Sequence, residues 1–202
     1  MKVEIPNYLN LVSEENFYFD PKEISLADLL KKTDKTSREL IESYNGSRRI
    51  LYYYLRGERA LPIKFVLNVV GDDTHLLDEI YGKFSLLSTR GHWQDRLPKY
   101  YTSELAYLTG LIAGDGHVSK NSVISLTGDS DRKFMKSYVS SLFEKLFDYK
   151  PSFVDYPNYV VLIANSKPVH FFFTKVIGLP TGKKKGNLQY SAPVCGCRDS
   201  VR

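Results

Sequence analysis

Apolar and polar positions change period several times in the second half of the chain. After Thr102 or Ser103, "SELAYLTGLIAG" runs apolar at helical spacing and predicts a helix. "SVISLTG" alternates as a half-buried strand does. "DRKFMKSYVSSLFEKLF" returns to helical spacing and predicts an inner face of Phe134, Tyr138, Leu142 and Leu146. "PSFVDYP" and "NYVVLIANS" read as a hairpin turning at Pro157-Asn158, and "KPVHFFFTKVIG" as a further helix before the basic loop "LPTGKKKGN". From Ser103 the order is helix, strand, strand, helix, strand, strand, helix. That αββαββα pattern predicts an α+β fold with an antiparallel sheet.

The first third reads differently, as a run of short helices. "SLAD" and "TSRE" place a hydroxyl three residues before an acid, the form that caps a helix start, at Ser25 and Thr36. Ser47 can cap "SRRILYYYLRG", closed by Gly57, and Pro62 suits the first turn of a helix ending near Gly71. In the third helix Ile50, Leu51, Tyr54 and Leu55 form an inward face, and Arg48, Arg49, Tyr52, Tyr53 and Arg56 point outward. The expectation is an all-α bundle over residues 1–75, a linker with possible helix or strands over 76–97, an α+β domain over 98–186 and a tail over 187–202.

Composition narrows the function classes. The 202 residues, 43% of them hydrophobic, suffice for a real core of one or two domains. A net charge of +5 favours a polyanionic partner without requiring one. The start "MKVEIPNYLN" has no apolar segment behind a charged one, and no apolar run reaches membrane-span length, so a cytoplasmic, intracellular, nucleoid-associated protein with no membrane partner is expected. Cys195 and Cys197 make neither a disulfide framework nor, without nearby histidines, a zinc site. "GLPTGKK" is one residue short of a phosphate-binding loop, so no nucleotide cofactor is expected.

Leu108, Thr109, Gly110, Leu111, Ile112, Ala113, Gly114, Asp115 and Gly116 resemble, position by position, the signature of the LAGLIDADG homing endonucleases. The flanking "LPKYYTSELAYLTG" and "HVSK" are similar to family members too, and the resemblance covers roughly residues 98–186. It implies that two such helices pack together, with Leu108, Gly110, Leu111 and Gly114 at the interface, small residues letting the backbones approach. It implies a metal site at Asp115 and Gly114, where two carboxylates and two helix C-termini gather negative potential that a divalent cation, Mg²⁺, neutralises. One motif copy per chain then implies a homodimer. By the same resemblance a lysine of the loop, Lys183 first and Lys185 second among Lys183, Lys184 and Lys185, acts on the phosphate or attacking water, and Arg132 orders water. The family's water-binding polar residue falls on Gly128, which has no side chain. The tail "LQYSAPVCGCRDSVR" does not resemble the family.

The sheet is the expected DNA reader, since a twisted antiparallel ribbon fits the major groove. Lys120, Ser122, Ser125, Thr127, Ser152, Asp155, Tyr159 and Asn165 are candidates for contacting bases; which strand parity faces DNA stays open. The N-terminal helices resemble a helix-turn-helix module of the phage-repressor type, with Arg48, Arg49, Tyr52, Tyr53 and Arg56 toward DNA. The expected function is metal-dependent cleavage of both strands of a long, roughly palindromic DNA site. The alternatives are a catalytically inactive DNA-binding transcription regulator and a decayed endonuclease fragment.

Overall fold

A computed structural model describes residues 3–33, 35–43, 46–84, 86–87, 94–128 and 132–182. The chain enters through strand β1 (Val3–Glu4), helix α1 (Leu9–Ser13) and strand β2 (Tyr18–Phe19). Helices α2 (Leu26–Lys32), α3 (Ser37–Ser43) and α4 (Arg48–Leu55) follow. After β3 (Leu61–Pro62) come α5 (Ile63–Val70) and α6 (Thr74–Lys83).

Ser25 and Thr36 cap as their spacing predicts, whereas Ser47 precedes α4 without a side-chain capping bond. The Ser25 hydroxyl accepts the Asp28 amide at 3.4 Å. Thr36 and Glu39 form a reciprocal box: the Glu39 amide donates to Thr36 Oγ1 at 3.2 Å and the Thr36 amide to Glu39 Oε2 at 2.6 Å. Gly57 and Gly71 both take φ +67°, the left-handed conformation that stops α4 and α5. Ile50, Leu51, Tyr54 and Leu55 do face inward, with Leu51 fully buried.

The N-terminal part is not all-helical. β2 lies between β3 and β4 (Leu86–Leu87), and β4 pairs with β5 (Gln94–Asp95), all antiparallel in the order β3-β2-β4-β5. β1 pairs separately with β6 (Tyr100–Tyr101). Two-residue strands leave no alternation to read, which is why β2 and β3 were not expected and β4 and β5 fall where the sequence offered strands without fixing them. The stretch read as a linker is also built in. α6 buries Leu76, Ile80 and Tyr81, and Phe84 and Leu97 beyond it are buried as well.

The second half follows the expected order. α7 (Ser103–Gly114) starts on Thr102, whose hydroxyl accepts the Leu105 amide at 3.2 Å. Next come β7 (Gly116–Val118), β8 (Val123–Gly128) and a π-helical segment (Phe134–Val139) that runs into α8 (Ser140–Phe147). β9 (Ser152–Asp155), β10 (Val160–Asn165) and α9 (Lys167–Phe171), continued as a π-helical turn (Phe172–Val176), complete it. The sheet is antiparallel in the order β7-β8-β10-β9. Val118, Ile124, Leu126, Val160, Leu162 and Ala164 form its buried face. The inner face of the 134–147 helix matches the expected one at Leu142, with Phe134 and Leu146 packed at its edge, but not at Tyr138. Met135, Val139, Leu142, Phe143 and Phe147 are buried, while Tyr138 is exposed and meets Tyr107 edge-on. The two stripes differ by one residue, and both read as apolar because Phe134 and Tyr138 are aromatic.

One core joins the halves. The Tyr8 ring packs edge-on against Tyr81 and Phe172, at centroid distances of 5.1 and 6.0 Å, and its hydroxyl donates to the Pro98 carbonyl. Phe17 meets Phe171 at 5.4 Å, and Phe172 meets Phe147 at 5.5 Å. Among the described residues no helix is long and apolar enough to cross a membrane.

A buried carboxyl sits on the same joint. Ser166, the N-cap of α9, accepts the Val169 amide at 3.1 Å and donates its own hydroxyl proton to Asp95 Oδ2. Asp95 is 2% exposed. Burial pushes its carboxyl from 3.8 up to about 6, with the Ser166 bond opposing and the Asp148 charge adding to the rise. The folded state therefore favours the protonated acid. Its contribution to stability is complete below pH 3.8 and is lost as pH climbs through about 6. Thermal melts should show Asp95→Asn gaining on wild type across that window, and parallel curves would remove Asp95 as the cause.

Candidate functional site

α7 is apolar on two sides, and the structure sorts them. Leu105, Leu108, Ile112 and Ala113 are buried in this chain's own core. Ser103, Ala106, Tyr107, Gly110 and Gly114 are exposed. Leu108 is therefore not available as an interface residue, contrary to expectation, because it is already fully buried within its own chain; Leu111 is half-buried against the same core. Gly110 and Gly114 are different. A Cβ added at either would meet nothing within 4 Å. Each glycine weakens the helix by about 1 kcal/mol relative to alanine, and no contact among the described residues requires it.

Asp115 caps α7 through its backbone, its amide donating to the Leu111 carbonyl at 2.9 Å, so its exposed side chain is not committed to holding the helix end. Gly116 does have an internal reason. A Cβ there would lie 2.7 Å from the Ile112 carbonyl oxygen and 2.8 Å from Ile112 Cα. These are backbone atoms with little room to yield. Gly116→Ala should destabilise the fold by ~1–3 kcal/mol in urea unfolding; an unchanged midpoint would show that the α7–β7 turn can relax.

Two contacts return the chain's later part to this turn. The Gly182 amide donates to the Val118 carbonyl at 2.8 Å, and His170 Nε2 lies 2.6 Å from the Ser119 carbonyl oxygen. The basic loop thus leaves from beside β7, three residues along the chain from Asp115. Lys183, Lys184 and Lys185 themselves lie outside the described residues.

Arg132 is not brought to Asp115. Its guanidinium donates to the carbonyls of Tyr156 (2.6 Å) and Pro157, in the β9–β10 turn on the far side of β8. Tyr156 and Tyr159 stack there at 4.5 Å, and Lys136 holds Asp155 at 2.7 Å. Gly128 is also committed. A Cβ at that position would overlap the Met135 side chain, so the strand end has no room for a polar group unless Met135 moves.

The register fixes the parity that sequence leaves open. His117 pairs with Ser125, Ser125 with Ile163, and Ile163 with Ser152; Val123 pairs with Asn165, Thr127 with Val161, and Val161 with Val154. These nine side chains share the open face. Ser125, Thr127, Ser152 and Asn165 are among the expected base contacts, whereas Asp155 has the opposite parity and Tyr159 lies in the turn. Lys120 and Ser122 lie in the β7–β8 turn, Lys120 exposed and Ser122 at φ +61°. None of the nine is lysine or arginine, so readout of guanine by long cationic side chains, the commonest specific contact, is not available on this face.

Around α4, Arg48, Arg49, Tyr52 and Arg56 are exposed, as expected, while Tyr53, expected to point outward with them, is half-buried. Arg59, which the sequence reading passed over, joins them: its guanidinium carbon lies 5.1 Å from the centre of the Tyr53 ring. The signal was "RGER", a glycine turn that returns a second arginine to the helix it has just left. Among the described residues no three His, Cys, Asp or Glu side chains come together as a metal site. Compared with known proteins, the chain matches no family pattern and no curated protein.

Proposed function

We propose that the protein is a metal-dependent DNA endonuclease of the LAGLIDADG type that acts as a two-fold homodimer. The observation that carries this reading is the outer face of α7. Ala106, Gly110 and Gly114 give a smooth surface with open space above both glycines, and Asp115 stands exposed at its end. A second copy of that helix laid against the first brings two Asp115 carboxylates together. The αββαββα order, the four-stranded antiparallel sheet and the bond from Gly182, the residue before the lysines, to Val118 of β7 agree with it.

A lone Asp115 carboxylate does not make a cation site; two copies of it, with the Gly114 carbonyls nearby, offer oxygen donors of the kind Mg²⁺ takes. Bound there, the cation would neutralise phosphate charge and lower the pKa of a water. The chain's own part is to set the carboxylates, present the lysine loop and hold the duplex on the sheet.

A second reading, a DNA-binding regulator without nuclease activity, is favoured by two observations: Met135 fills the space at Gly128, and Arg132 is engaged at the hairpin. Incubating the protein with a random duplex library in Mg²⁺ decides between them. Double-strand cuts at a selected site are expected. A retarded complex in Ca²⁺ without cuts in Mg²⁺ would establish the regulator, and neither would indicate a decayed fragment.

A further inference from the structure

We infer that Arg49, Arg56 and Arg59, gathered on Tyr53, form a clamp for the phosphate backbone, so that this end of α4 and the turn after it grip DNA without reading its sequence. The inference rests on the DNA-binding reading above and assigns these residues a role distinct from base recognition.

Three guanidinium carbons lie 5.8, 5.4 and 5.1 Å from the centre of the Tyr53 ring, those of Arg49, Arg56 and Arg59 respectively. Arg49 and Arg56 come from α4, one turn before and one turn after the ring. Arg59 arrives because Gly57, at φ +67°, reverses the chain, and the Glu58 amide donates to the Tyr53 carbonyl at 2.9 Å. Arg49 Nε also donates to the Tyr53 hydroxyl at 3.1 Å. The ring's electron-rich face attracts each cation, but three like charges on one ring repel one another.

Within the cluster one ion pair is seen among the described residues, Arg56 Nε to Glu58 Oε1 at 3.0 Å. Its side chains are 60% and 47% exposed, so water screens most of it. Cationic charge therefore remains in excess at an exposed surface. A phosphodiester, with several acceptor oxygens and a shape that matches the guanidinium fork, is the anion this arrangement fits. Arginines laid against a ring of their own helix are poorly extended for reaching base edges. Arg48 and Tyr52 lie outside the cluster and keep that role.

The test is Arg59→Gln in the full chain, with fluorescence anisotropy on a library-selected duplex and on a random one over a series of salt concentrations. Circular dichroism confirms the fold. Both affinities should fall by the same factor, and the slope of log K against log salt should flatten by about 0.9, the value for one lost phosphate contact. An unchanged slope, or a loss confined to the selected duplex, overturns the clamp. If wild type binds no duplex, the DNA-binding reading fails by itself. Pyrophosphate alone is then added while the arginine Nε–Hε resonances are followed by NMR. Shifts at Arg49, Arg56 and Arg59 would support the anion site and overturn its assignment to DNA; no shift overturns the site altogether.

Discussion

Asp115→Asn is expected to abolish Mg²⁺-dependent DNA cleavage while leaving DNA affinity within about tenfold, ~1.4 kcal/mol. The separation of the two effects follows from where Asp115 stands. Its backbone amide caps α7 and its side chain is exposed, so an isosteric amide removes the negative charge without touching the helix end. A neutral amide is a poor ligand for a hard divalent cation. Cleavage of a selected duplex and a gel shift in Ca²⁺ are the two measurements. Cleavage surviving the substitution would remove Asp115 from the chemistry, and a lost gel shift with it would make the residue a binding contact.

Gly110→Leu should yield a folded monomer that cuts nothing. Inside one chain the position is open, with no atom within 4 Å of an added Cβ, so the mutant's fold has no reason to suffer. Between two copies the position is where helix backbones would come closest. Overpacking typically costs ~1–3 kcal/mol per site, and a two-fold axis imposes the clash twice. Sedimentation velocity reads the assembly, with circular dichroism as the check on folding. A wild-type chain that stays monomeric at high concentration, with and without DNA, would sink the two-chain active site. Gly110→Ala sharpens the test: it should stabilise an isolated chain by up to ~1 kcal/mol, since alanine is the better helix former.

The parts of the fold that sequence reveals are those with long periods. α7, β8, β10 and α8 each extend over enough residues for spacing to show which state they adopt, and the caps at Ser25, Thr36 and Thr102 mark the starts of α2, α3 and α7. β2 and β3 stayed hidden because a strand of two residues has no period, and for the same reason β4 and β5 showed only as possible strands in the 76–97 stretch. The 134–147 helix was recognised as a helix but turned by one position, because an exposed tyrosine and a buried one look alike in an apolar pattern. At the candidate site the sequence locates Asp115 and the glycines, yet it cannot tell that Gly110 and Gly114 face outward while Gly116 is pinned against Ile112. That distinction depends on what packs beside each residue. Leu108 illustrates the same limit: its place in the motif suggested a partner helix, and the core of its own chain already buries it. Arg59 was missed because its importance comes from a chain reversal, not from a position on a helix face.

The aromatic joint between the halves has a consequence for how DNA would be measured out. Tyr8 and Phe17 from the first half fill spaces against Phe171 and Phe172 of the second, and Ser166 ties α9 to Asp95. Among the described residues, packed rings link the part of the chain that carries the arginine cluster on α4 to the part that carries the carboxylate at the end of α7. A separation held by packed rings would require a duplex touching both to present its phosphates and its cut at one helical phase. Inserting about five base pairs, half a turn of B-DNA, between the two contacts would rotate one of them to the opposite side of the duplex. The protein would then act as a rigid gauge that tolerates a base change more readily than a change of spacing.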